Sequence, residues 1–250
     1  MESRVDLNYV RNMFSLANKV AIVTGGAGAL GQAIAQGLAA YGADVVVTGR
    51  TLKTLEPVVK DIEAAGRKAL ALSCDVAVEK DVEALMRETL KAFGTVDILV
   101  TVAGIAKRFP AEEFPIDEWQ QVMDINVRGT FLCCKHVGKI FKEKKKGKII
   151  TISSVRAFAG HPGGYAAYGT SKGAVNLLTR QLATEWIFWT PLTQEVLENE
   201  QLYKVFMSRI PMGRAALTQD SVGAAVYLAS PASDFVTGQI LYVDGGTVAG

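Results

Sequence analysis

The stretch VTGGAGALG, Val23 to Gly31, follows the short apolar run KVAIVTG and opens onto a segment with helical spacing. Glycine is denser here than ordinary packing needs. In a strand–turn–helix, small residues let the backbone approach a pyrophosphate, and the helix N-terminus offers unpaired N–H groups with partial positive charge. A tight turn with close helix packing uses glycines too, so the surrounding chain must decide between the two. On the first reading Gly25, Ala27, Gly28, Leu30 and Gly31 form a nucleotide cradle.

Outward from this turn, short β-branched runs (KVAIVTG, DVVVTG, KALALSCDV, VDILVTVAG, GKIITISS, GQILYVDGG) alternate with longer helix-period segments. The runs are nearly continuous in apolar residues, as strands are when both faces of a parallel sheet are covered. Such alternation predicts a doubly wound α/β sheet. Glycines at Gly42, Gly66 and Gly94 follow helical segments at positions that favour a left-handed residue, and Pro115 with two acids marks a helix start. No repeat or linker divides the chain, so residues 1–250 read as one domain.

The bulk numbers describe an ordinary globule, with 49% hydrophobic and 21% charged residues in 250. A formal charge of +2 argues against nucleic acid or an anionic membrane as partner. The basic run Lys142 to Lys148 reads as a solvated turn. Cys74, Cys133 and Cys134 are odd in number and suit reduced thiols in a cytoplasmic protein. No cysteine or histidine spacing suggests a metal, His136 and His161 being the only histidines. The N-terminus lacks the apolar stretch of a secretory signal, and no segment approaches a membrane span.

In dinucleotide folds an acid at the end of the second strand, about 20 residues beyond the glycines, binds the adenosine ribose. This strand ends VVVTGRT, with Gly49 and Arg50 at that place. No carboxylate rejects a 2′-phosphate and a guanidinium can pair with it, so NADP is favoured over NAD. Further on, Tyr168 and Lys172 stand four residues apart on a helical segment and project from one face. At roughly 4 Å and an effective dielectric of about 20, an ammonium attracts a phenolate by about 4 kcal/mol. Such a pair suits general acid–base catalysis.

TGGAGALG, CDV at Cys74, VAG at Val102, DINVRGTF, ISS with YGTSK, and the closing ASDFVTGQILYVDGG together resemble the short-chain dehydrogenase/reductase family from about Leu16 to Gly246. The resemblance implies a Rossmann-type sheet of strand order 3-2-1-4-5-6-7 and hydride transfer between a secondary alcohol and a ketone. It implies Asp75 and Val76 against adenine, Ala103 and Gly104 beside the ribose, and Thr190 near the nicotinamide amide. Ser154 would bind the reacting oxygen, with Ser153 as the other choice, and Lys172 would also hold the ribose. Asn126 matches the family's proton-relay asparagine. Arg108 and Arg156 fall in substrate-facing loops, where they suit a carboxylate or polyhydroxylated chain. The chain looks most like the gluconate 5-dehydrogenase-like branch of sugar-acid and polyol dehydrogenases. A 3-oxoacyl-carrier-protein reductase, or a sensor or scaffold that binds the cofactor without turnover, are the alternatives. The family's habit implies a homo-oligomer, a tetramer or dimer.

Three departures from the family stand out. Ala29 replaces a glycine of its TGxxxGxG, and Thr101 and Val102 replace two asparagines that brace strand ends. Between Trp186 and Ile187 about a dozen residues with the sixth strand are absent, which leaves an empty lane in the sheet unless another segment fills it. A helix from Pro191 to Met207, within a substrate lid over 191–214, is expected beyond it.

Overall fold

The computed structural model describes residues 8, 12–186, 191–193, 218–234 and 236–244. β1 (Val20–Thr24) is buried at every position, because helices cover both faces of the sheet. β2 (Asp44–Gly49) and β4 (Ile98–Thr101) flank it in parallel register, with Ile22 opposite Val46 and Leu99. β3 (Ala69–Ser73), β5 (Lys148–Ser153) and β6 (Pro191–Thr193) complete the order β3-β2-β1-β4-β5-β6. The order reverses between β1 and β4, which opens a crevice at the carboxyl ends of the strands.

The α-helices among the described residues are α1 (Ala29–Ala40), α2 (Glu56–Ala64), α3 (Glu79–Phe93), α4 (Ile116–Met123), α5 (Gly129–Lys144), α6 (Ala166–Trp186) and α7 (Val222–Ala229). One apolar core joins all of these except α4 to the sheet, with Ile22, Leu38, Leu99, Ile150 and Leu228 among its members. Gly94 caps α3 at φ +73°, and Gly42 and Gly66 follow α1 and α2 with positive φ, as expected. Pro115 precedes α4, whose first turn carries Asp117 and Glu118. Cys74, Cys133 and Cys134 are free and buried, and burial pushes the Cys74 and Cys134 thiols up to about 12. No helix among the described residues is long and apolar enough to cross a membrane.

The far edge of the sheet corrects the expected order. Pro191–Thr193 is a strand, not the start of a helix, and pairs with Thr151–Ser153 in the sixth lane. Residues 239–243, read as a seventh strand, carry no strand among the described residues. The physical reason lies in the lane between. A three-residue neighbour that begins with proline offers few donors for another ladder. The remainder of the proposed lid, residues 194–214, lies outside the described residues.

The basic run is less free than a solvated turn. Lys144 ends α5 by donating to Asp97 Oδ1 at 2.8 Å and to the Val96 carbonyl at 2.6 Å, which ties α5 to the entry of β4. A second clamp joins α3 and α5. Glu79 Oε1 accepts from Lys135 Nζ at 2.5 Å and lies 2.9 Å from His136 Nε2. Those hydrogen bonds hold the Glu79 carboxyl down at about 2 against an ordinary 4.5. A depressed carboxylate stabilises the fold fully above 4.5 and loses that contribution as pH falls from 4.5 towards 2. Glu79→Gln should therefore melt slightly below wild type at pH 7, with the gap closing across that acid window in thermal melts. The effect should be small and weaken with salt, because the Glu79 side chain is 40% exposed.

Candidate active site

The glycine turn shows two kinds of glycine. Gly25 has φ +65°, and a Cβ there would lie 2.8 Å from the Ala103 nitrogen. A Cβ on Gly31 would lie 2.3 Å from the Gly25 carbonyl oxygen. These two let β1, α1 and the end of β4 converge. Gly28, the N-cap of α1, has an ordinary extended backbone at φ −76°. The first helical bond runs from Gln32 N–H to the Gly28 carbonyl, so the N–H groups of Ala29, Leu30 and Gly31 lie ahead of it. No side chain caps this end and no acid sits in its first turn. Leu30 buries its side chain and offers only backbone, while Ala27 is half-buried and Ala29 exposed. The turn therefore fits a pyrophosphate, and the Ala29 methyl points away from packed backbone.

The neighbouring strand ends close the cradle. Gly26 N–H donates to the Thr48 carbonyl at 3.0 Å, which docks the turn on β2. Arg50 follows β2, exposed, and forms no ion pair among the described residues. Asp75 and Val76 follow β3. Asp75 Oδ1 accepts from Ala77 N–H at 3.0 Å, shaping its own loop, and Val76 is buried.

The expected bracing at the end of β4 comes from elsewhere. Thr24 Oγ1 accepts from Val102 N–H at 3.1 Å and Ala103 N–H at 3.2 Å. Asn126 lies in a π-helical turn, Asp124–Arg128, that joins α4 to α5. Such turns recur at functional sites. Its Oδ1 accepts from Ile105 N–H at 2.8 Å, and its Nδ2 donates to the Ile105 carbonyl and Ser171 Oγ, both at 2.9 Å. A Cβ on Gly104 would lie 3.2 Å from Asn126 Oδ1 and 3.6 Å from Lys172 Nζ, so the three adjoin.

Tyr168 and Lys172 leave the first turns of α6, 6% and 5% exposed. Lys172 Nζ donates to the Ile152 carbonyl at 2.8 Å and lies 5.7 Å from the Tyr168 ring centroid. Its charge therefore stands beside the phenol ring. The two serines divide. Ser153 Oγ donates to the Lys172 carbonyl at 3.3 Å, a packing role. Ser154 Oγ accepts from Arg156 N–H at 3.2 Å, which leaves its O–H able to donate to another oxygen.

A family profile described as enoyl-(acyl carrier protein) reductase matches residues 25–248. The chain is a short-chain dehydrogenase/reductase. It is an oxidoreductase that works with a nicotinamide cofactor. The gluconate 5-dehydrogenase of Gluconobacter oxydans (strain 621H) is 38% identical over 252 residues, covering 94% of this chain and 96% of that protein. The 2-dehydro-3-deoxy-D-gluconate 5-dehydrogenase of Dickeya dadantii (strain 3937) is 38% identical over 254 residues, covering 96% and 99%. The crystal structure of a gluconate 5-dehydrogenase from Burkholderia cenocepacia J2315, in complex with NADP and tartrate, superposes with a TM-score of 0.91. That protein is 31% identical, over 96% of this chain and 99% of its own.

In this dehydrogenase, Arg108 and Arg156 converge on one ring, that of Tyr165. The Arg108 guanidinium carbon lies 4.6 Å over the Tyr165 centroid and that of Arg156 lies 5.8 Å from it. Arg156 is 8% exposed, not a solvent-facing loop arginine. Tyr165 and Thr24 are the residues that sequence reasoning missed. Thr24 sits directly before the glycines, and Tyr165 three residues before Tyr168, one helical turn away. Thr190 lies outside the described residues.

Proposed function

We propose that this dehydrogenase interconverts a secondary alcohol and a ketone on a gluconate-type sugar acid, with NADP preferred over NAD. The observation that carries the substrate class is the pair of guanidinium groups gathered around Tyr165, whose ring lies 6.1 Å from that of Tyr168, a setting for a carboxylate that a neutral acyl thioester does not need. The names of the Gluconobacter and Dickeya relatives place their reactions at C5 of a gluconate skeleton, which supports the same class over the 3-oxoacyl alternative. A nicotinamide cofactor bound along the cradle supplies or accepts the hydride. In the reducing direction Tyr168 Oη gives its proton to the carbonyl oxygen while Ser154 Oγ donates a hydrogen bond to that oxygen. Lys172 stabilises the negative charge left on the phenol, and Asn126 braces the loop that carries Gly104 and Ile105. The proposed cofactor contacts are Gly25, Ala27, Gly28, Leu30, Gly31, Arg50, Asp75, Val76, Ala103, Gly104, Lys172 and Thr190.

The test is NADPH and NADH oxidation with 5-keto-D-gluconate and a 3-oxoacyl thioester. Turnover of the thioester alone would defeat the sugar-acid reading. In the same assay Arg50→Ala should cost about tenfold in kcat/KM with NADPH and little with NADH, one exposed charge-assisted pair to phosphate being lost. An unchanged NADPH/NADH ratio would remove Arg50 from the cofactor site.

Phe131 on α5 and Leu177 on α6, 42% and 66% exposed, support self-association through the long helices, as a tetramer or dimer. Three buried free thiols support a cytoplasmic location. The alignment with the Gluconobacter enzyme spans 252 positions while taking in only 94% of this 250-residue chain. That excess supports an internal gap in this chain, which we place between Trp186 and Ile187.

A further inference from the structure

Tyr165 packs its ring into the fold but leaves its hydroxyl without a partner among the described residues. The residue is 5% exposed. Buried hydroxyls left so are uncommon, because desolvation is not returned unless some partner arrives. The surroundings say what kind of partner. The Arg108 guanidinium carbon stacks 4.6 Å over the ring and that of Arg156 lies 5.8 Å from it. His161 meets the ring edge-on at 5.3 Å, and the Tyr168 ring is 6.1 Å away.

This grouping is built into two loops that the backbone locks together. Phe109 N–H donates to the Gly164 carbonyl at 3.2 Å, joining the loop after β4 to the one before α6. Gly164 has φ +74°, and a Cβ there would fall 2.6 Å from the Phe109 carbonyl oxygen, so only glycine permits the approach. Arg108 is thereby carried over Tyr165. The Tyr165 carbonyl in turn accepts from Gly169 N–H at 2.8 Å, which fixes the phenol at the first turn of α6, next to Tyr168.

We propose that Tyr165 is a specificity-determining residue, its Oη donating a hydrogen bond to the carboxylate of the keto sugar acid whose carbonyl meets Tyr168. Arg108, held in place by the Tyr165 ring, pairs with the same carboxylate. This inference rests on the sugar-acid reading above. A hydroxyl on a ring that two guanidinium groups approach selects an anion because each bond to the carboxylate is charge-assisted, whereas a neutral CH2OH gains only an ordinary one.

Tyr165→Phe tests it, with two substrates that share a carbon chain. These are 5-keto-D-gluconate and L-sorbose, which carries CH2OH in place of the carboxylate. Wild type should prefer the acid, and the variant should narrow that preference in kcat/KM by about tenfold or more, mostly through KM. Its melting temperature should match or exceed wild type, since removing an unpartnered buried hydroxyl relieves a cost. An undiminished preference in the variant, or a melting temperature several degrees lower, would overturn the role of Tyr165 while leaving the sugar-acid reading intact. A wild-type enzyme with no preference for the acid would overturn that reading, and Tyr165 as its carboxylate reader with it.

Discussion

Tyr168→Phe should lower kcat for ketone reduction by about a thousandfold, within the range that a positioned proton donor contributes. The ring would remain, 6% exposed beside Tyr165, so its packing is conserved and the hydroxyl with its proton is lost. Lys172 Nζ would keep its bond to the Ile152 carbonyl at 2.8 Å, because that anchor does not involve the phenol oxygen. Cofactor affinity, followed by NADPH fluorescence, should therefore change by less than about threefold, since no cradle contact is touched. The split between binding and turnover is what distinguishes an enzyme from a cofactor-binding sensor. Turnover in the variant equal to wild type would remove Tyr168 as the proton donor.

Gly31→Ala carries the second large effect, on the cradle itself. The new methyl would sit 2.3 Å from the Gly25 carbonyl oxygen and 2.9 Å from its carbon, both backbone atoms that no rotamer change can move. Gly25 cannot retreat, because its own α-carbon already faces Ala103 at close range. The start of α1 must then tilt, at the 1–3 kcal/mol typical of overpacking, or about 3–10 °C in melting temperature for a chain of this size. NADPH binding should weaken as well, since the tilt re-aims the N–H groups of Ala29, Leu30 and Gly31. The control is Ala29→Gly. Ala29 is exposed at the same turn, so restoring the family's glycine should change affinity by no more than about threefold. Comparable losses in both variants would show that the turn as a whole, not the Gly31–Gly25 contact, sets the geometry.

Much of this was legible along the chain. β1, β2, β4 and β5 are buried on both faces and β3 is half-buried at the edge, so their apolar runs announced themselves, and β1 through β5 stand where those runs lie. Glycines with positive φ at Gly42, Gly66 and Gly94 marked helix ends because only glycine takes that conformation cheaply. Tyr168, Lys172 and Ser154 could be named because they lie close in sequence, Ser154 just past β5 and the other two in the first turns of α6. Where pairing between distant segments decides the outcome, reading failed. Pro191–Thr193 scores as a helix start by its proline, yet an open lane beside β5 recruits it as strand. GQILYVDGG has every local mark of a strand, but residues 239–243 form none, since a strand is made by its neighbour's donors and acceptors.

The amino-acid sequence alone determined the alternation of strands and helices, the cradle between β1 and α1, the absence of an acid at the end of β2, and the Tyr168–Lys172 pair. Each of these is a local property of a few adjacent residues. Only the tertiary structure decided that Thr24 replaces the missing asparagines, that Ser153 is structural, and that Arg108 and Arg156 gather around Tyr165. These depend on which loops the sheet carries to one edge. Thr24 and Ala103 are 79 residues apart in the chain yet share a hydrogen bond, a contact that exists only because β1 and β4 pair at the point where the strand order reverses.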